Sequence, residues 1–199
     1  MLIWRLGDGP NVGVAPPTRI GDAISTFAIP NYRAAAHGYF GHMWELYGFF
    51  ALTPLILAAS GVFEGPAVYL ASFAAFCAGG FGCIACVALA GSATLCLLVP
   101  VLYSISTLTI LPALMIWGML VCADSPQFSA VAARACPPER VGGALALMNS
   151  IGFAVTIVAI EVVMAFWESM QVMVLLLLIP GPLYGLFAMR KLWSPPTPA

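Results

Sequence analysis

Charge is what this 199-residue sequence has least of. Asp, Glu, Lys and Arg make up 8% of it, where an ordinary globular domain carries about 25%. So few polar groups cannot clothe a water-facing surface, which excludes an ordinary soluble domain and makes lipid the expected solvent. The basic residues form no cluster beyond pairs, and the net charge is −1, which argues against a nucleic-acid partner. Histidine is scarce too. His37 and His42 are the only two, five residues apart on one expected helix. No Ser-His or metal-ligand constellation can be assembled from them, so neither an enzyme, nor a metal, nor a cofactor is expected. Six cysteines are present, and Cys83 and Cys86 form a C-x-x-C. With no neighbouring His and no second pair, they read as small packing residues of apolar helices. No secretory signal peptide is expected, because Met1 to Leu6 is short and is followed by polar, Pro-rich sequence.

What is present is apolar sequence, 62% of the chain, with a mean hydropathy of +1.00. Breaks rich in Gly, Pro or charge divide it into six expected membrane-spanning helices, at about 37–60, 66–85, 88–104, 107–133, 141–166 and 171–189. The fold class expected is therefore all-α, an integral membrane bundle over residues 37–190. Residues 1–36, with three Arg and two Asp among Pro and Gly, read as a polar cytoplasmic segment of little order, and 191–199 as a cytoplasmic tail. Residues 66–104 must hold two spans, with the break expected between Cys86 and Ser92. Pro180-Gly181-Pro182 should kink the sixth span.

The positions of the cations choose the topology. Arg5, Arg19 and Arg33 precede the first span, Arg134 and Arg140 share one polar break, and Arg190 and Lys191 follow the last span. No Lys or Arg lies between Arg33 and Arg134. Six crossings put all of them on one side, the cytoplasmic side, as the positive-inside rule prefers; five would separate them. Both termini are then cytoplasmic, in a multi-pass plasma-membrane protein. Residues Ala75, Gly79 and Cys83, and likewise Gly142 and Ala146, recur every four positions, so each set should line a helix face where backbones approach closely.

Acids inside apolar runs are the functional candidates, since an ionised carboxylate facing lipid would cost about 2.5 to 3.5 kcal/mol or more. Glu45 lies some nine residues into the first span, about 13 Å deep. His42 precedes it by three and shares its face, with Tyr39 and Phe49 on the same stripe. Such a pair could pass a proton or could fix helix packing. Asp124 stands two residues before Pro126, where a kink and freed carbonyl are expected, and Gln127 follows one turn along. The two could line a cavity or satisfy the kink. On the fifth span Asn149, Phe153 and Thr156 recur at helical spacing, and Asn149 is the better solute contact because Thr commonly bonds its own backbone. Glu161, near Trp167, is within reach of headgroups.

Three blocks of sequence, in order, resemble the major facilitator superfamily of transporters. Gly38 to Tyr47 (GYFGHMWELY) is similar to helix seven of certain bacterial members, and Ala123 to Ala130 (ADSPQFSA) to the end of helix ten. Pro137 to Gly142 (PPERVG), followed by Asn149 to Phe153 (NSIGF), resembles the next loop and helix eleven. Leu6 to Pro10 looks like the segment after helix six. The resemblance covers the C-terminal six-helix half only. It departs from the family between helices eight and nine, where residues 82–91 carry no charge in place of a D-R-x-G-R type loop. It implies transport of a small solute, with proton coupling, by alternating access against a second six-helix half, either a homodimer mate or a separate chain. It also implies that Tyr39, His42, Glu45, Asp124, Gln127 and Asn149 face the solute and proton pathway. The alternative is a truncated, non-transporting membrane polypeptide or a modulatory subunit of a full-length transporter.

Overall fold

Pro30 opens the longest helices' run. Its missing N–H and fixed φ suit the first helical position, and Ile29 before it is extended (φ −76°, ψ 116°). The computed structural model describes residues 19–77, 85–123 and 125–192. A short helix α1 (Ile20–Ser25) leads through a 3-10 turn into α2 (Pro30–Ala59). Ser60 closes α2, donating to the Leu57 carbonyl and accepting from the Val62 N–H. Gly61 and Gly65, at φ +67° and +53°, then make the turn into α3 (Pro66–Cys77). There follow α4 (Ala85–Ile105), α5 (Ile110–Ala123) and α6 (Ser125–Ala135). Pro137 and Pro138 end that run and α7 (Val141–Met170) follows. Gln171, at φ 49°, breaks the helical path before a 3-10 stretch (Gln171–Leu178) and α8 (Pro180–Met189). The described residues are helical throughout, with no strand among them.

Two differences from expectation concern boundaries. The first long helix starts at Pro30, seven residues before His37, and residues 20–28 are helical where little order was expected. The Pro30 start is held by packing: Tyr32 is fully buried and its hydroxyl donates to the Ala144 carbonyl of α7 at 2.7 Å. The break expected between Cys86 and Ser92 falls inside α4, and residues 78–84 lie outside those described. At the end of the chain, Pro180 does mark a change of helix type.

The core is organised around α2, which packs chiefly on α8 and α7, then on α6, α3 and α5. From Gly38 to Phe49 every residue is buried except Phe40, Trp44 and Tyr47, which form one part-exposed aromatic strip. Glycines make this possible. A Cβ on Gly41 would run into the Gly181 carbonyl of α8, and one on Gly152 of α7 would strike the Tyr39 ring. The expected seam at Ala75 is present, because α5 approaches there so closely that a Cβ on Gly118 would meet the Ala75 carbonyl; Gly79 and Cys83 lie outside the described residues. Among the described residues the expected seam at Gly142 and Ala146 is absent: a Cβ on Gly142 would meet nothing within 4 Å and Ala146 is exposed. The short α1 lies along that face instead.

The outer surface is oily. Tyr69, Leu70, Ile105, Leu108 and Ile157 are each 63% exposed or more, which is unusual for a water-facing monomer. By length and composition, two helical runs are able to cross a membrane, Thr107–Ala135 and Pro138–Met189. The charges separate by end. Arg140 donates to the Ser25 hydroxyl at 3.0 Å, α1 lies beside the start of α7, and Arg33 and Arg190 line one cavity. The arginines at described positions, Arg19, Arg33, Arg134, Arg140 and Arg190, thus gather at one end. At the other end Tyr103 donates to the Ala59 carbonyl, and Ala59, Tyr103 and Gln171 adjoin one cavity. Glu64 and Glu168 belong to that end.

Close approach at Gly41 yields a prediction. Gly41→Val should lower the stability of the purified chain by about 1 to 3 kcal/mol or more, because the obstructing atom is backbone. Gly142→Ala should be neutral or slightly stabilising. Thermal unfolding of the two variants checks this; a Gly41→Val protein that melts like the parent would refute the packing described.

Candidate functional site

Glu45 is fully buried on α2, and its carboxyl group finds its donors on two other helices. On α4, Ser92 and Cys96 are four residues apart and so share a face. The Ser92 hydroxyl donates to Glu45 Oε1, and Cys96 Sγ lies 3.4 Å from the same oxygen. On α5, Trp117 is fully buried and its Nε1 donates to Oε1 at 2.7 Å, with Ser92 Oγ also within 3.2 Å. The indole is held in place by Phe49, one turn beyond Glu45, at 5.1 Å between ring centroids. Glu45 Oε2 is buried and has no hydrogen-bond partner among the described residues.

This one-sided arrangement has a chemical consequence. Oε1 accepts the same hydrogen bonds whether the group is a carboxylate or a carboxylic acid. A proton can therefore arrive at or leave Oε2 without breaking any of them. Burial strengthens each bond to Oε1 and makes the site sensitive to what reaches Oε2.

The other expected residues are distributed unevenly. His42, one turn before Glu45, is buried with its ring 5.6 Å from Phe128 of α6 and 6.1 Å from Tyr39. Tyr39 is itself buried, lying over Gly152 of α7 and 6.3 Å from Phe128. Tyr39, His42 and Glu45 thus run along the buried side of α2. Gln127 of α6 is half-buried beside Phe128. Asn149 is exposed on α7, while Met148 and Gly152 turn inward. Its helical neighbour Phe153 is half-exposed and meets Tyr47 of α2 at 6.1 Å. Thr156 donates to the Phe153 carbonyl at 2.7 Å, the self-bonding expected of a threonine. Glu161 is exposed. Asp124 lies outside the described residues, between α5 and α6.

Sequence reasoning missed Ser92, Cys96 and Trp117. A signal existed: an indole N–H in an apolar run must find an acceptor, and few side-chain acceptors occur in these runs. Which acceptor it finds depends on helix placement. Comparison with protein-family models, curated proteins and solved structures gives no match to this chain. The site therefore has to be read from its own geometry.

Removing the indole donor tests that geometry. Trp117→Phe should lower stability by about 1 to 3 kcal/mol, and Ser92→Ala by less, since Trp117 remains on Oε1. In a double-mutant cycle, Trp117→Phe should cost little once Glu45 is Leu. An undiminished effect in the Glu45→Leu background would show that the indole acts through packing alone.

Proposed function

We propose that this chain is a multi-pass plasma-membrane protein of six spans, similar in plan to the C-terminal half of a major facilitator transporter. In this reading it moves a small solute by alternating access against a second six-helix half, and Glu45 carries the coupling proton. The observation that carries the reading is the Glu45 carboxyl group, deep in the central helix and, among the described residues, hydrogen-bonded through one oxygen only. Tyr39 and His42 lie toward the arginine-rich end from it on the same helix. Asn149, Gln127 and Asp124 are the solute-facing candidates.

Three features support the membrane plan. All arginines at described positions gather at one end of the bundle, as an even number of crossings requires. The exterior between the two ends is aliphatic and aromatic. The final segment also has enough length. Eight 3-10 residues rise about 16 Å and ten α-helical residues about 15 Å, together matching a hydrocarbon core of about 30 Å.

A second reading rests on the same side chains. Ser92 and Trp117 hold α2 to α4 and α5 through Glu45, so the carboxyl group would serve as a helix clamp in a non-transporting or modulatory polypeptide.

Two experiments decide. A reporter enzyme active only outside the cytoplasm should be active when fused after Glu64 and silent when fused after Arg140. Equal activity at both positions would refute the six-span plan. Infrared titration of the purified chain should then show a carboxylic acid band that changes with pH and is lost in Glu45→Gln. Gln keeps an acceptor for Ser92 and Trp117, so that variant should remain folded. A carboxyl group that never titrates would assign Glu45 to the clamp.

A further inference from the structure

The aromatic strip of α2 borders a groove that the site above does not use. Between α2, α7 and α8 lies a cavity of about 490 Å³ whose walls include Phe40, Trp44 and Val155. Its floor is short of side chains because Gly41 and Gly181 bring the two backbones together there. Trp44 turns its one polar group away, donating Nε1–H to the Leu177 carbonyl at 3.0 Å. The walls then offer water almost no partners, and the groove favours an apolar occupant. A second cavity, of about 230 Å³, continues it toward the end of the bundle and is lined by Arg33 and Arg190. The two share His37 and Tyr184, whose hydrogen bond (Tyr184 hydroxyl to His37 Nδ1, 2.7 Å) marks their junction.

We propose that these two adjoining cavities bind one anionic phospholipid, its phosphate held by Arg33 and Arg190 and one acyl chain lying along Phe40, Trp44 and Val155. The charge supports that occupant: among the described residues, two guanidinium groups and no acidic side chain line the two cavities. Arg190 is already oriented, with its guanidinium carbon 3.8 Å from the centre of the Phe187 ring. Guanidinium suits phosphate because it presents paired donors. The positive end of the α2 dipole adds to the attraction, since Pro30 also lines this cavity and no side chain caps the helix. The apolar half separates a lipid from a free phosphate ion. Tyr184 and Phe187, exposed beside the groove, suit the edge of a bilayer.

The inference rests on the membrane placement proposed above, and the test separates the two. First, the full chain is extracted from membranes with alkaline carbonate. If it leaves with the soluble fraction, both the membrane placement and the lipid site are wrong. If it stays, the detergent-purified chain is exposed to phosphatidylglycerol and phosphatidylcholine of equal chain length, and retained lipid is read by native mass spectrometry. Phosphatidylglycerol should be retained in preference. R33Q/R190Q, changing two exposed side chains, should erode the preference on the order of fivefold for each arginine. Val155→Trp, which fills the groove without changing charge, should reduce phosphatidylglycerol retention as well. Equal retention of the two lipids, or a preference that survives R33Q/R190Q, would overturn the lipid site and leave the membrane placement standing. Displacement of phosphatidylglycerol by millimolar inorganic phosphate would also overturn it, by showing that the acyl half contributes nothing.

Discussion

A carboxyl group in the middle of an apolar bundle must find its hydrogen-bond donors inside the protein, and Glu45 takes them from α4 and α5. Much of the fold is arranged to permit that. The donors reach Oε1 only because α2 is enclosed, and α2 is enclosed because glycines at 38, 41, 48, 118 and 152 let neighbouring helices or rings come close. In the membrane placement proposed above, such close contacts and buried polar bonds would supply much of the association. The carboxyl group and the glycine seams therefore act together: one specifies which helices meet, the other how near they come.

The same enclosure leaves one face of α2 incomplete. Phe40, Trp44 and Tyr47 recur at helical spacing on the side where α2 is only part-covered. There the molecule keeps an apolar groove leading to two arginines. Buried carboxyl group and basic groove are thus on different sides of one helix, the first enclosed and bonded through Oε1, the second open to whatever surrounds the bundle. The tight contact of Gly41 with Gly181 serves both, packing α8 onto α2 and flooring the groove.

Several features were legible before any coordinates. The helical class followed from long apolar runs, and Pro137-Pro138 and the Gly61-to-Pro66 stretch stand where helices end. Glu45 was legible as a candidate because burying a carboxyl group in apolar sequence demands an explanation. Less visible were the start at Pro30, since residues 30–36 look polar until Tyr32 is seen to bond Ala144, and the continuity of α4 through Ser92. The Gly142 and Ala146 face misled because small residues permit a close seam without requiring one. Asn149 shows the opposite limit: spacing placed it on a helix face but could not say which way that face turns.

The sequence by itself determined the apolar character of the helices and the plan of the charges. An 8% charged chain leaves long runs free of ionic groups, and basic residues grouped at 5–33, 134–140 and 190–191 can gather at one end of a helical bundle. Those are matters of composition and order along the chain, which folding does not change. Only the tertiary structure decided that Glu45 meets Ser92, Cys96 and Trp117, and that His42 lies against Phe128. Helical periodicity places a side chain on a face, but the partner across that face comes from another helix many residues away. Which helix stands there depends on the packing of the whole bundle, and no local pattern encodes it.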